Sequence, residues 1–279
     1  MSLSSLIEKW DTIAFTGYNF LAKMLYCVTY PKIHKYLKRN EELRDKHKGE
    51  RCFIVLNGPS LNNYDLSKIS NEYVFCTNYF YQTDYFDIVK PNYYCVTDSK
   101  FFNIDRNKDA KIHIERLLER VGNNRCIFNI RYLDYFKIKK NIYLTYAKHL
   151  PNMMSLSNNL YGMSSNFMSV SLYAMNAAIF MGFKEIYLLG YDFEPGIFKH
   201  FYENTETEKR MKDIQKNEVL KEDVCGKYWQ YTQAQYQNYY IRNFSEKKGV
   251  RIYNCNKDSY VRSFPFVDYE SLFTNTRED

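Results

Sequence analysis

Several polar side chains in this sequence stand at the ends of short apolar runs, and they are of kinds that grip a nucleotide or move a proton. Asn57 and Ser60 follow Cys52-Phe53-Ile54-Val55-Leu56; Asn78 follows Tyr73–Thr77; Asp98 follows Tyr93–Thr97; Asp192 closes the run that begins at Glu185. In Asn57-Gly58-Pro59-Ser60-Leu61 the Gly58-Pro59 pair makes a compact bend. Ser60 can cap a following helix, whose free N–H groups would face an anion such as a nucleotide phosphate. The segment lacks the Gly-x-Gly-x-x-Gly spacing and the Walker lysine, so dinucleotide and P-loop readings fail. An ordinary strand-to-helix turn would use the same residues. Five histidines are present, and His34, His47, His113 and His149 have no supporting neighbours, so they read as structural or surface residues. Seven cysteines, at 27, 52, 76, 95, 126, 225 and 255, are too dispersed for a zinc knuckle or a disulfide scaffold. They read as free thiols of a reducing compartment.

The elements that would position these residues follow from pattern. Strands are expected at 52–56, 73–77, 93–97, 126–130, 185–190 and 250–254. Helices are expected at 110–121, 165–181 and 230–248. Strands alternating with helices, each strand ending in a polar residue, imply an α/β fold: a Rossmann-like parallel sheet with helices on both faces. Ligands of such sheets lie across the carboxyl ends of the strands, and Asn57, Ser60, Asn78, Asp98 and Asp192 would all fall on that edge.

Residues 1–48 read as an N-terminal helical arm and 49–279 as the Rossmann-like α/β domain. Glu8, Lys9 and Asp11 interrupt the place of a secretory signal's apolar core. From Thr12 to Pro31 only Lys23 is charged, which gives an aromatic helix but a poor membrane span. A second, basic helix is expected after Pro31. This arm would lie on an anionic inner leaflet, through residues 12–48, or pack against the domain with a solvated linker after it.

Composition limits the classes further. In 279 residues, 45% are hydrophobic and 25% charged, which excludes wholesale disorder. The net charge of +7 suits an anionic partner and is too diffuse to demand nucleic acid. The 28 Tyr and 20 Phe read as the imprint of an AT-rich coding sequence rather than as a binding stripe.

Three segments carry a resemblance: Asn57-Gly58-Pro59-Ser60-Leu61, Cys76-Thr77-Asn78-Tyr79-Phe80-Tyr81, and Gly182-Phe183-Lys184-Glu185-Ile186-Tyr187-Leu188-Leu189-Gly190-Tyr191-Asp192-Phe193. Over about residues 50–273 the chain resembles the bacterial sialyltransferases of glycosyltransferase family 42. It also resembles the wider surface-polysaccharide proteins that share an MptE-like domain with motility accessory factor transferases and archaeal hydroxymethylpterin pyrophosphokinase. Ile252–Cys255 and Phe264–Phe273 are more similar to that wider group. The resemblance implies a GT-A-like sialyltransferase architecture with a small lid at about 195–228. It also implies a CMP-sugar donor, no permanently bound cofactor and no required metal.

By the same resemblance Asn57, Gly58 and Ser60 would hold the cytidylate phosphate and ribose, and Asn78 the nucleotide or sugar. Ser169 and Ser171 would stand near the family's threonine-serine-glycine turn, and Asp192 would match the aspartate of its Gly-x-Asp-Phe strand. Asp192 and Glu194 superficially offer a carboxylate pair for a metal, sharing one face if extended. Asp192 reads rather as a hydrogen-bond acceptor at the sheet edge. The family's lid histidine is missing, since Tyr228-Trp229-Gln230-Tyr231 stands there. His200, in His200-Phe201-Tyr202, is therefore the expected general base, with Asp98 the second choice; Tyr202 and Tyr228 would donate to the departing phosphate. The implied activity is transfer of a sialic-acid-like or Kdo-like sugar to a hydroxyl of a glycan or glycolipid of the bacterial surface, lipopolysaccharide or capsule. It would take place in the cytoplasm or peripherally on the inner face of its membrane, with a homo-oligomer compatible. Two alternatives remain open at this stage: pterin-type pyrophosphate transfer from ATP with Mg²⁺, and a non-catalytic glycan-assembly subunit.

Overall fold

A computed structural model describes residues 3–97, 99–102, 108–193, 201 and 224–274. Among them, eight strands form one wholly parallel sheet. They are β1 (Arg51–Val55), β2 (Tyr73–Thr77), β3 (Tyr93–Val96), β4 (Arg125–Asn129), β5 (Ile142–His149), β6 (Met163–Ser165), β7 (Glu185–Leu189) and β8 (Arg251–Asn254). The spatial order is β6-β5-β4-β3-β2-β1-β7-β8. Strand alternation divides the core in two. Cys52, Ile54, Phe75, Tyr93, Ile127 and Leu188 point to one face; Phe53, Val55, Val74, Tyr94, Phe128 and Leu189 point to the other. Both faces are covered, as near-continuous apolar strands require.

Helix α4 (Val170–Phe180) covers the first face and is buried over every residue from Ser171 to Phe180. Ser169 caps its start by accepting from the Ser171 N–H. Its last carbonyls, which have no partner within the helix, are met by another part of the chain. Asp45, His47 and Gly49 donate their N–H groups to Phe180, Met181 and Gly182 at 3.1, 2.8 and 3.1 Å. Helix α5 (Val224–Lys247) lies beside α4 through Ile241 and Phe244. On the other face, α2 (Tyr85–Val89) and α3 (Lys108–Val121) bury Phe86, Val89, Ile114, Leu117 and Val121, and Tyr269 joins them from the C-terminal segment.

The N-terminal segment departs from expectation. It is one helix, α1 (Leu3–Lys38), that continues through Pro31, rather than two helices separated there. Tertiary contacts on both sides of the proline outweigh its missing N–H. Tyr26 packs on Tyr146 with ring centroids 5.5 Å apart, and Leu37 is fully buried. Just beyond, Asn40 donates to the carbonyls of Leu144 and Leu160 at 2.8 and 2.6 Å. Leu43 and His47 are buried too, so the end of the arm is built into the domain. None of the described helices is long and apolar enough to cross a membrane.

Two strands, β5 and β6, were not expected from pattern. Part of the anticipated 165–181 helix is used otherwise: Ser165 ends β6, and the helix begins only after the Ser169 cap. Conversely, α5 starts at Val224, so residues 224–228 of the anticipated lid are helical.

Candidate active site

Strand order places a topological switch between β1 and β7. The chain leaves β1 toward β2 on one side, and β7 pairs with β1 on the other. Open parallel sheets bind ligands in the crevice at such a switch. Here that crevice is walled by the turn after β1 (56–60) and the turn after β7 (190–193).

The walls touch at two glycines. Gly58 donates its N–H to Gly190 O at 2.9 Å. A Cβ on Gly58 would sit 2.5 Å from both Gly190 O and Asp192 Oδ2. Gly190 has φ +67°, where L-residues are strained, and a Cβ there would meet Leu56 O at 2.7 Å. Small residues at both positions are thus a packing requirement.

Asp192 fastens the walls together. Its Oδ2 accepts the Ser60 N–H at 2.8 Å; its Oδ1 accepts the Ser60 hydroxyl and, at 2.8 Å, the Asn256 Nδ2. The expectation that Ser60 caps a helix and turns a free N–H toward an anion is therefore corrected. The helix there is a five-residue 3₁₀ turn, Pro59–Asn63, with Gly58 at its N-cap, and both donors of Ser60 are spent on Asp192. Two further side chains hold the second wall from behind: Ser259 donates its hydroxyl to Tyr191 O at 2.7 Å, and Asn254 donates Nδ2 to it at 3.1 Å. Phe193 takes φ +56°, a conformation costly for an aromatic residue and typical of functional turns. Tyr231 of α5 meets it by donating to Phe193 O at 2.6 Å.

Asn57 and Asn78 each carry an unsatisfied polar atom beside the crevice. Asn57 leans toward Thr77 through Nδ2, 3.4 Å from its carbonyl oxygen and 3.5 Å from its Oγ1. Asn78 sits in the left-handed region at φ +49°. Its carbonyl accepts the Tyr94 hydroxyl at 2.8 Å, and Tyr94 Oη in turn accepts the Tyr81 N–H. Burial lifts the Tyr94 pKa far above the ordinary value, so the hydroxyl stays a donor. In both asparagines Oδ1 is buried and has no donor among the described residues. Buried acceptors are normally paired, so these two oxygens are suited to N–H or O–H groups of a ligand.

Ser171 lies beneath the second wall: it and Asn238 both hydrogen-bond the Tyr191 hydroxyl, whose pKa burial pushes up to about 12. Ser169 is one residue outside α4 as its cap. Tyr228 is exposed on the first turns of α5. Asp98, His200 and Tyr202 lie outside the described residues. Phe201, between the latter two, is buried and donates its N–H to Asn57 O at 3.0 Å; Asn62 donates to Phe201 O at 3.2 Å. Sequence reasoning missed Thr77, Tyr94, Asn256 and Ser259, which position the site from other strands and loops. Only Thr77, beside Asn78, carried any local signal.

Two of the histidines set aside above are satisfied structural groups. His47 lies 2.6 Å from both Glu50 Oε2 and Tyr93 Oη and stacks on Phe183. His149 lies between Ser155 and Ser165. Among the described residues, no cluster of three His, Cys, Asp or Glu could hold a metal.

No curated protein matches this sequence. Among solved structures, the sialyltransferase CstII from Campylobacter jejuni in complex with the substrate analogue CMP is 18% identical. The match covers 79% of this chain and 85% of that one, with a TM-score of 0.46. A point variant of sialyltransferase CST-II in complex with CMP is 19% identical over 78% and 86% of the two chains, TM-score 0.49. The MAf glycosyltransferase from Magnetospirillum magneticum AMB-1 is 12% identical over 86% of this chain and 39% of that one, TM-score 0.45. The sequence model of 6-hydroxymethylpterin diphosphokinase MptE-like proteins matches residues 28–195, which takes in both β1 and β7 and the crevice between them, and the chain belongs to this MptE-like family.

Proposed function

We propose that the chain is a sialyltransferase-like glycosyltransferase that uses a CMP-sugar donor. Its acceptor is a hydroxyl of a bacterial surface glycan, lipopolysaccharide or capsule. The observation that carries this reading is the pair of buried amide oxygens of Asn57 and Asn78 beside the β1–β7 crevice, which have no donor among the described residues. Such oxygens suit the hydroxyl and amino groups of a nucleoside or sugar and repel bare phosphate oxygens. The Asn-Gly-Pro-Ser and Gly-Tyr-Asp-Phe segments that resemble sialyltransferase motifs form the crevice walls, which agrees with that ligand.

In the proposed reaction an acceptor oxygen attacks the anomeric carbon. Its bond to the cytidylate oxygen breaks, CMP leaves with the electron pair, and the acceptor proton passes to a base. His200 takes that proton; it is adjacent in sequence to Phe201, whose N–H is bonded to the Asn57 carbonyl. Asp98 is the alternative base. Tyr202 and Tyr228 donate to the leaving phosphate, and Ser169, Ser171 and Asp192 support the crevice rather than touch the sugar. General-base action of this kind is worth about a hundredfold to ten-thousandfold in rate.

Family membership favours a second reading, diphosphate transfer to a pterin-like alcohol, which would use ATP and Mg²⁺. Against it, the described carboxylate at the crevice, Asp192, is already engaged by Ser60 and Asn256. A thermal-shift panel of CMP, CDP, UDP, GDP and ATP–Mg²⁺, each with and without EDTA, separates the two. A rise with CMP that EDTA leaves unchanged is expected, together with loss of donor turnover in His200→Ala. Stabilisation by ATP–Mg²⁺ alone would overturn the transferase and establish the second reading.

A further inference from the structure

Helix α1 is amphipathic the wrong way round for a solvated surface helix. Its domain-facing side is half-buried and partly polar, through Phe15, Asn19, Tyr26, Thr29 and Tyr30. Its opposite side exposes Trp10, Ile13, Phe20, Leu21, Met24 and Val28, with Trp10 70% and Val28 75% accessible. These positions recur at helical spacing and form one apolar face of about 33 Å from Leu6 to Val28. Packing fixes the rotation: Leu150 donates its N–H to Asn19 Oδ1 at 2.7 Å, and Asn19 returns Nδ2 to Leu150 O at 2.9 Å. Met153 and Met154, a few residues beyond Leu150, are both exposed.

Charge selects the occupant. Continuing the same helical face past Val28 brings Lys32, Lys35 and Lys38, all exposed, and Lys9 and Lys23 flank the apolar stretch. No carboxylate occurs from Thr12 to Lys38. Against a second copy of this helix, a parallel arrangement would set lysine row against lysine row. An antiparallel one would pair the apolar halves and leave the lysines outside the contact. The first leaves charges unpaired at a buried contact, and the second leaves the lysine row unused. A lipid surface takes the apolar face into its acyl boundary and the lysines at its anionic headgroups.

We propose that this face of α1 rests on the surface of an anionic bilayer. The direction of the helix follows from its contacts with β5 and the residues on either side of it. Arg39 donates to the carbonyls of Lys139 and Lys140 just before β5, Asn40 meets Leu144, Tyr26 meets Tyr146, and Asn19 meets Leu150. The helix therefore runs antiparallel to β5, and residues 3–18 extend about 24 Å past the carboxyl end of that strand. That is the edge of the sheet on which the crevice lies. The lipid contact does not depend on the glycosyltransferase reading.

Co-sedimentation of the full chain with vesicles tests it. Vesicles of phosphatidylcholine with about one-third phosphatidylglycerol should bind the chain at least tenfold more strongly than phosphatidylcholine alone. Leu21→Glu/Val28→Glu should lower the partition coefficient about tenfold or more while leaving Tm unchanged, because both side chains are exposed. Lys32→Glu/Lys35→Glu/Lys38→Glu should remove the preference for the anionic vesicles. The proposal is overturned by absence of binding to either vesicle or by undiminished binding of the Leu21→Glu/Val28→Glu variant. A lipid-free dimer that the same two substitutions dissociate would also overturn it, in favour of a second copy. Binding as expected supports the surface even where CMP gives no thermal shift, an outcome that would count against the donor reading alone.

Discussion

Replacing Gly58 by alanine tests whether the crevice walls are as tightly fitted as their contacts imply. Gly58 has φ −72° and ψ 154°, which alanine adopts freely, so any cost comes from contact and not from backbone strain. The new methyl would lie 2.5 Å from Gly190 O and Asp192 Oδ2, against about 3.4 Å for ordinary contact. The walls must part by roughly 0.9 Å. That shift stretches the 2.9 Å Gly58 N–Gly190 O bond and the 2.8 Å Ser60 N–Asp192 bond beyond hydrogen-bonding range. Losing one neutral bond, about 1 kcal/mol, and one charge-assisted bond, about 1.5–3 kcal/mol, gives a cost of about 3 kcal/mol. For a chain of this size that corresponds to a fall in Tm of about 6–12 °C. Differential scanning calorimetry reads it directly, with Gly17→Ala as control. Nothing lies within 4 Å of a Cβ at Gly17, so that variant should gain about 0.5–1 kcal/mol from helix propensity. A Gly58→Ala protein melting within about 1 °C of wild type, with an undiminished response to CMP, would refute the reasoning.

Other consequences are equally accessible to measurement. Burial raises the thiol pKa of Cys52, Cys76 and Cys95, and lifts those of Cys126 and Cys255 to about 12. Titration of the folded chain with a thiol reagent at mild alkaline pH should therefore label only the two exposed cysteines, Cys27 and Cys225, quickly. Five or more fast thiols would contradict the buried sheet. His47 and His149 both have pKa values lowered from 6.5, chiefly because burial disfavours the charged ring. The unfolded imidazoles then bind protons where the folded ones do not, so their contribution is complete above about pH 6.5 and is lost as pH falls below it. Urea midpoints measured from pH 7.5 down to 5.5 should decline, and a flat or rising profile would be inconsistent with these burials. Asn40→Ala removes both donors that hold the Leu144 and Leu160 carbonyls. Urea unfolding should show a loss of about 2–4 kcal/mol, whereas a change under 0.5 kcal/mol would mean that water replaces the amide.

How much of this was legible beforehand depended on where each residue's partners lie. The runs that form β1, β2, β3, β4 and β7 are largely apolar on both faces and lead into polar residues, so they and the edge they build could be read directly. β5 could not. Its second half, Tyr146–His149, is covered by α1, an element more than a hundred residues earlier in the chain. β6 is three residues, Met163-Ser164-Ser165, and owes its extended state to pairing with β5. The break expected at Pro31 rested on local propensity, and docking on β5 and the buried Leu37 overrode it.

The candidate site divides in the same way. The sequence determined which segments reach the carboxyl edge, that Asp192 is an acceptor there, and that the walls need glycine and a bend. Only the tertiary structure decided that β7, not a strand next in sequence, lies beside β1, and so that Asp192 closes on Ser60 across 132 residues. It alone showed that Tyr94 steadies Asn78, and that α1 turns its apolar side outward because Asn19 and Leu150 exchange hydrogen bonds. The physical reason is that periodicity and turn chemistry record each residue's neighbours along the chain. A hydrogen bond across the sheet records which segments meet after folding, and no local pattern carries that.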